Sequence, residues 1–158
     1  MNLKNSDMKI PRELLNAFII FIGIGSFFLI IEAIGLAGNY LLRFFNITFI
    51  FYGTLRTLRS NFRDGNKSLP LNAVSAMYTS FTGVLLSIIG LVIYIIINGG
   101  DTYIESLSRN FLFGGTPTVV NYCFSLLLEG FVSAGVISFL LMLYWDTKYK
   151  SDKHGAKQ

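Results

Sequence analysis

Three charged side chains inside long apolar stretches of the chain are the candidates for chemistry. Glu32 and Glu129 are the only charges in residues 14–36 and 122–145, and Arg43 lies near the start of residues 40–58. In a helix beginning at Tyr122, Glu129 lies about 10 Å inside the membrane. A carboxylate at that depth costs roughly 2–3 kcal/mol unless it contacts protein or is neutral. We expect Arg43 to form an ion pair with one carboxylate; the alternative is a proton or cation site.

The rest of the chain offers little for catalysis. It has one cysteine, Cys123, which excludes an intramolecular disulfide and multi-cysteine metal sites. Its one histidine, His154, lies in the polar tail, which excludes bis-histidine haem ligation within the membrane. It contains neither a P-loop nor the glycine-flanked serine of hydrolases nor a dinucleotide-binding glycine pattern. We therefore expect a non-enzymatic protein with no catalytic residues, no cofactor and no metal.

The composition predicts an all-α membrane protein. Of 158 residues, 53% are hydrophobic and 14% charged, and the mean hydropathy is +0.56, whereas soluble domains carry about a quarter charged residues. A helix needs roughly 20 apolar residues to cross a bilayer. Four stretches qualify, so a single four-helix transmembrane domain is predicted over residues 1–158. Its spans are 14–36, 40–58, 72–97 and 122–145, with an external loop at 98–121 and a polar tail at 146–158.

The basic residues predict the orientation of these spans. In the four-span arrangement, every one of the 13 Lys and Arg residues except Arg43 and Arg109 falls on one side. Cytoplasmic loops are enriched in Lys and Arg. Both termini are therefore expected in the cytoplasm, since a three-span arrangement would leave a basic cluster outside.

The external loop contains a candidate short helix. Thr102 and Glu105 have the spacing of a capping box, and Ile104, Leu107 and Phe111 recur on one helical face. These features predict a short amphipathic helix in the outer membrane interface. An irregular apolar loop is the alternative.

Small residues recur every four positions on the third and fourth spans. Such stripes let helix backbones approach closely where lipid supplies no hydrophobic drive for association. We favour packing within this chain, and the alternative is a docking face for another membrane subunit. The residues are Ser75, Thr79, Gly83 and Ser87 on the third span, and Gly130, Ala134 and Ser138 on the fourth.

Three arginines follow the second span on one helical face. Arg56, Arg59 and Arg63 repeat at helical spacing, which suits contact with anionic lipid headgroups. Topology determination would also explain them. The cluster is brief and close to the membrane, so nucleic acid is not an expected partner.

The centre of the chain, residues 52–94, carries a recognisable pattern. It contains an apolar helix ending in spaced arginines, the run from Phe62 to Pro70 with its Arg-Asp-Gly turn, and a helix bearing Ala76, Tyr78 and Gly83. This pattern resembles that of a family of small four-helix membrane proteins of unknown function found in Bacteroidota. The resemblance implies an inner-membrane location and no established chemistry.

These features together predict an accessory or scaffold subunit of a larger complex in the bacterial inner membrane. Nearly all of the chain is membrane helix, and no catalytic set is visible. The expected partners are membrane lipids and either other integral membrane subunits or further copies of this chain. The alternative function is a small oligomeric transporter or channel component that uses Glu129 and Glu32.

Overall fold

The computed structural model describes residues 11–66, 68–107 and 118–155 and is helical, with no strand among them. Its helices run antiparallel or parallel to one another in one bundle. Their bounds are α1 Arg12–Ala33, α2 Tyr40–Arg43, α3 Asn46–Arg63, α4 Leu69–Ile97, α5 Asp101–Leu107 and α6 Val119–Gly155.

Three helices are long and apolar enough to cross a membrane. They are α1 with 22 residues, α4 with 29, and the Val119–Lys148 part of α6. At 1.5 Å per residue even α1 is about 33 Å long, which matches a hydrocarbon core of about 30 Å. These helices correspond to the first, third and fourth predicted spans. The last of them continues as a helix through most of the predicted polar tail.

The second predicted span differs from the expectation of one uninterrupted apolar helix. It is divided into α2 and α3, which are joined at Phe44 and Phe45 by i→i+3 backbone hydrogen bonds of 3.1–3.2 Å. Helix α3 has 18 residues and is too polar to qualify as a membrane span on composition. Three threonines and three arginines among its residues account for this polarity.

Helix α3 nevertheless lies antiparallel along α1. At one end Arg12 forms an ion pair with Asp64, just past the end of α3. Midway, Gly53 faces Ile20, and a Cβ at residue 53 would lie 2.4 Å from the isoleucine side chain. Farther along, Phe27 packs on Phe45 with ring centroids 6.0 Å apart. The two helices therefore run side by side over most of the length of α1.

Helix α4 runs parallel to α1. Ser75 donates a hydrogen bond of 3.1 Å to Glu13 near the start of both helices, and Tyr94 packs on Phe28 near their ends, at 5.6 Å between ring centroids. Helix α6 then runs antiparallel to α4. We call the end of the bundle at which α1 and α4 end the outer end, and the opposite end the inner end.

Hydroxyl and amide groups join the helices inside the inner half. Buried Asn16 donates to Thr57 at 2.9 Å, and the Thr57 and Thr79 hydroxyls lie 3.0 Å apart, so one chain of bonds links α1, α3 and α4. Such bonds between helices stabilise a bundle that lipid does not drive together.

Helix α5 closes the outer end. Ile104 is fully buried and packs with Ile95 and Tyr122, while the Asp101 carboxylate accepts a 2.8 Å hydrogen bond from the Val119 N–H at the start of α6. The helix begins one residue before Thr102, and the rest of the predicted amphipathic stripe, at Phe111, lies outside the described residues.

Candidate functional site

A cavity of about 280 Å³ opens among α1, α3, α4 and α6 in the outer half of the bundle. In the described part of the chain, no Cα atom of α1 lies within 8 Å of a Cα atom of α6, so the two helices are separated. Gly25 contributes open space, since a Cβ there would meet no atom within 4 Å. We call this space the outer cavity. Its walls are mainly apolar, and its polar and charged side chains include Arg43, Asn46, Tyr122 and Glu129.

Tyr122 positions Arg43 in the outer cavity. A guanidinium N–H of Arg43 donates to the tyrosine hydroxyl at 2.8 Å, and the Arg43 Cζ lies 5.2 Å from the centroid of the tyrosine ring. Both contacts favour the cation. They tie the end of α2 to the first turn of α6.

Two tyrosine hydroxyls satisfy Glu32. Its carboxylate accepts hydrogen bonds from Tyr94 of α4 and Tyr103 of α5, so one acid joins three helices. Burial, together with the hydrogen bond to Glu32, raises the pKa of the Tyr103 hydroxyl above its ordinary value of about 10. That hydroxyl therefore remains a donor at neutral pH. Glu32 lies beside the outer cavity and does not line it.

The expected ion pair involving Arg43 is not formed. Among the residues that the structure describes, neither Glu32 nor Glu129 lies within ion-pair distance of Arg43. Neutral tyrosine hydroxyls form hydrogen bonds with Arg43 and with Glu32 instead. Glu129 is exposed at the wall of the outer cavity, so this carboxylate is accessible from the cavity.

Sequence reasoning missed the three tyrosines as partners of the charged groups. Tyr103 and Tyr122 lie near the predicted outer interface, where tyrosine is common for its amphipathic ring alone. The usable signal is that Glu32, Arg43, Tyr94, Tyr103 and Tyr122 all fall at the same predicted depth.

The outer cavity can bind an amphiphilic or small polar molecule more readily than it can do covalent chemistry. The buried Oδ1 atom of Asn46 has no hydrogen-bond partner in the described part of the structure. No group of three His, Cys, Asp or Glu residues that could hold a metal is found within the described ranges. A cation, a carboxylate and an amide in an apolar wall are the groups that a ligand would meet.

Both small-residue stripes lie inside the bundle. A Cβ at Gly83 would lie 2.8 Å from the Cβ of Ile20, and one at Gly130 would lie 2.6 Å from Val84. The stripes thus contact neighbouring helices of the same chain. The remaining members do likewise or are buried: Ser75 bonds to Glu13, Thr79 to Thr57, Ser138 to Ser80, Ser87 to a backbone carbonyl, and Ala134 is fully buried.

The three arginines of the predicted lipid-binding face are all exposed on α3. Arg56, Arg59 and Arg63 lie away from the buried residues of that helix. Only Arg59 lines a second surface feature, a groove between α3 and α6 near the inner end.

Comparisons with protein-family models, with curated proteins and with solved structures find no match for this chain. The resemblance of residues 52–94 to a Bacteroidota family therefore stays a prediction.

Proposed function

We propose that this chain is a non-enzymatic integral membrane protein that crosses a bacterial inner membrane four times, with both termini in the cytoplasm. In this proposal α3 is the second span, and the protein serves as an accessory or scaffold subunit of a larger membrane complex. The two parts of the proposal rest on different observations and have separate tests.

The parallel packing of α1 and α4 supports four spans. If α3 did not cross the membrane, α1 and α4 would be consecutive spans and would have to run in opposite directions. They run in the same direction, from Glu13 beside Ser75 to Phe28 beside Tyr94. A crossing between them satisfies this geometry, and α3 is about 27 Å long at 1.5 Å per residue. Two of the polar side chains of α3, Thr54 and Thr57, are buried among the other helices. They therefore do not face lipid, and a membrane can accommodate them.

The distribution of apolar surface supports the accessory role. Large apolar side chains point outward on every long helix, as at Ile22, Val74 and Val132, which are 60–67% exposed. A surface of this kind needs lipid or membrane-embedded protein around it. No catalytic set accompanies it among the described residues, so contact with other membrane components is the activity that the surface favours.

Purification from native membranes tests the accessory role. The tagged chain is extracted in mild detergent and its co-eluting proteins are quantified by mass spectrometry. We expect the same integral membrane protein in a fixed ratio in independent preparations, and not with an unrelated tagged four-span protein. Elution of this chain alone, at the mass of a monomer, would contradict the role.

Transport is the second candidate function, because Glu129 is exposed to the outer cavity. If Glu129 carries a proton or cation, Glu129→Gln should fold normally yet abolish flux in reconstituted vesicles. Equal flux in protein-free vesicles and in vesicles with the native chain would exclude this candidate.

A further inference from the structure

The groove between α3 and α6 is an open surface concavity, separate from the outer cavity. It has a volume of about 480 Å³ and lies near the inner end of the bundle. Phe51 and Leu55 from α3 and Leu140 from α6 form part of its apolar wall, and Arg59 and Lys148 bring a cation from each helix. No acidic residue lines it among those that the structure describes.

The two cations of this groove are not neutralised by acids. Within the described ranges, neither Arg59 nor Lys148 takes part in an ion pair. Lys148 contacts an aromatic ring instead, with its Nζ 5.2 Å from the Trp145 ring centroid. The ring is itself held by Phe62 of α3, at 4.7 Å between centroids and nearly parallel. The packed rings fix the spacing of α3 and α6 where the cations lie.

The groove has an apolar part and a cationic part, as a lipid has an acyl chain and an anionic headgroup. The apolar part of the groove extends from Leu55 toward Phe51, in the direction of the membrane centre, and Arg59 lies one turn closer to the inner surface. Long basic side chains at that level reach headgroup phosphates, while their aliphatic stems lie along apolar surface. A groove with walls of this kind accommodates one acyl chain beside the helices.

We propose that the groove between α3 and α6 binds an anionic phospholipid, with its headgroup at Arg59 and Lys148 and one acyl chain along Phe51, Leu55 and Leu140. The proposal rests on insertion of the chain in a bilayer and not on the accessory role. It refines the arginine face predicted from the sequence, because Arg56 and Arg63 do not line the groove. One arginine of the three is thus assigned to a built site.

Native mass spectrometry of the full chain in detergent tests the proposal with phosphatidylglycerol and phosphatidylcholine of identical acyl chains. A cation near the surface contributes about 1 kcal/mol to binding an anionic lipid, or about fivefold in affinity. We expect tighter binding of phosphatidylglycerol and about a fivefold loss in each of Arg59→Gln and Lys148→Gln. Arg56→Gln is the matched control on the same helix and should bind as the native chain does.

Three results would overturn the lipid site. Equal affinity for the two lipids would show that the cations do not select the headgroup. An equal loss in Arg56→Gln would indicate diffuse attraction to the whole basic face. Displacement of the lipid by inorganic phosphate at matched concentration would mean that the anion binds without the acyl chain. Cysteine labelling of membrane topology reports separately on membrane insertion. A chain that does not insert is therefore distinguishable from a chain that inserts but does not bind the lipid in this groove.

Discussion

At the outer end, tyrosine hydroxyls are the hydrogen-bond partners of Glu32 and Arg43, where we expected an ion pair. Glu32 accepts hydrogen bonds from two tyrosine hydroxyls, and Arg43 contacts Tyr122. Glu129 is exposed and forms no ion pair with any residue that the structure describes. A neutral donor beside a carboxylate avoids the cost of removing a second ion from water. Glu32 is therefore the structural carboxylate of the pair.

The first prediction compares the two carboxylates. Glu32→Ala removes the acceptor of two hydrogen bonds and should lower the free energy of unfolding by about 2 kcal/mol. Glu129→Ala removes a carboxylate that forms no ion pair with a described residue. Because an unpaired carboxylate is costly at that depth, this change should not lower the free energy of unfolding. Thermal unfolding of both variants in the same detergent measures the difference. Equal loss in the two variants would contradict the assignment of Glu32.

The second prediction concerns pH. Because the pKa of Tyr103 is raised in the folded protein, the unfolded chain loses its phenol proton first as pH rises past about 10. The stability that Tyr103 contributes is present below that pH and declines above it. Subtracting the stability of Tyr103→Phe from that of the native chain at pH 8 and pH 11 isolates this contribution. The difference should shrink at pH 11, and a constant or growing difference would count against the hydrogen bond.

At the scale of helices, glycine positions separate close packing from open space. A Cβ at Gly83 would lie 2.8 Å from the branched carbon of Ile20, whereas one at Gly25 meets nothing within 4 Å. Gly83→Ala should therefore destabilise the bundle by about 1–3 kcal/mol through overpacking. Gly25→Ala should be neutral or stabilising by up to about 1 kcal/mol, since alanine favours the helix. In detergent, the melting temperature of Gly83→Ala should therefore be lower than that of Gly25→Ala. The reverse order would contradict the packing of α1 on α4.

The sequence predicts helices well where hydrophobicity alone is enough. The three most apolar stretches correspond to α1, α4 and α6, and the four-residue spacing from Ser75 to Ser87 marks a face that packs on other helices. Hydrophobicity fails at α3, because its Thr and Arg residues are polar in isolation. The burial of Thr54 and Thr57 depends on neighbours that are distant in sequence. It fails in the same way at Glu32, whose partners Tyr94 and Tyr103 are brought near only by the bundle.

For the whole molecule, the number of membrane crossings is inferred from the direction of each helix. Parallel α1 and α4, with antiparallel α3 between them in sequence, suit four crossings. The Lys and Arg residues other than Arg43 and Arg109 then fall on one side. A three-span arrangement with α3 outside the membrane would reverse the location of every segment after α3.

Accessibility of single cysteines in intact cells tests this claim most directly. Cysteines replace Asn66, Ser108 and Ser151 one at a time in a Cys123→Ser chain, and a membrane-impermeant maleimide is added before and after permeabilisation. Four spans predict labelling at residue 108 in intact cells, and at residues 66 and 151 only after permeabilisation. Labelling at residues 66 and 151 in intact cells, with residue 108 protected, would contradict the account.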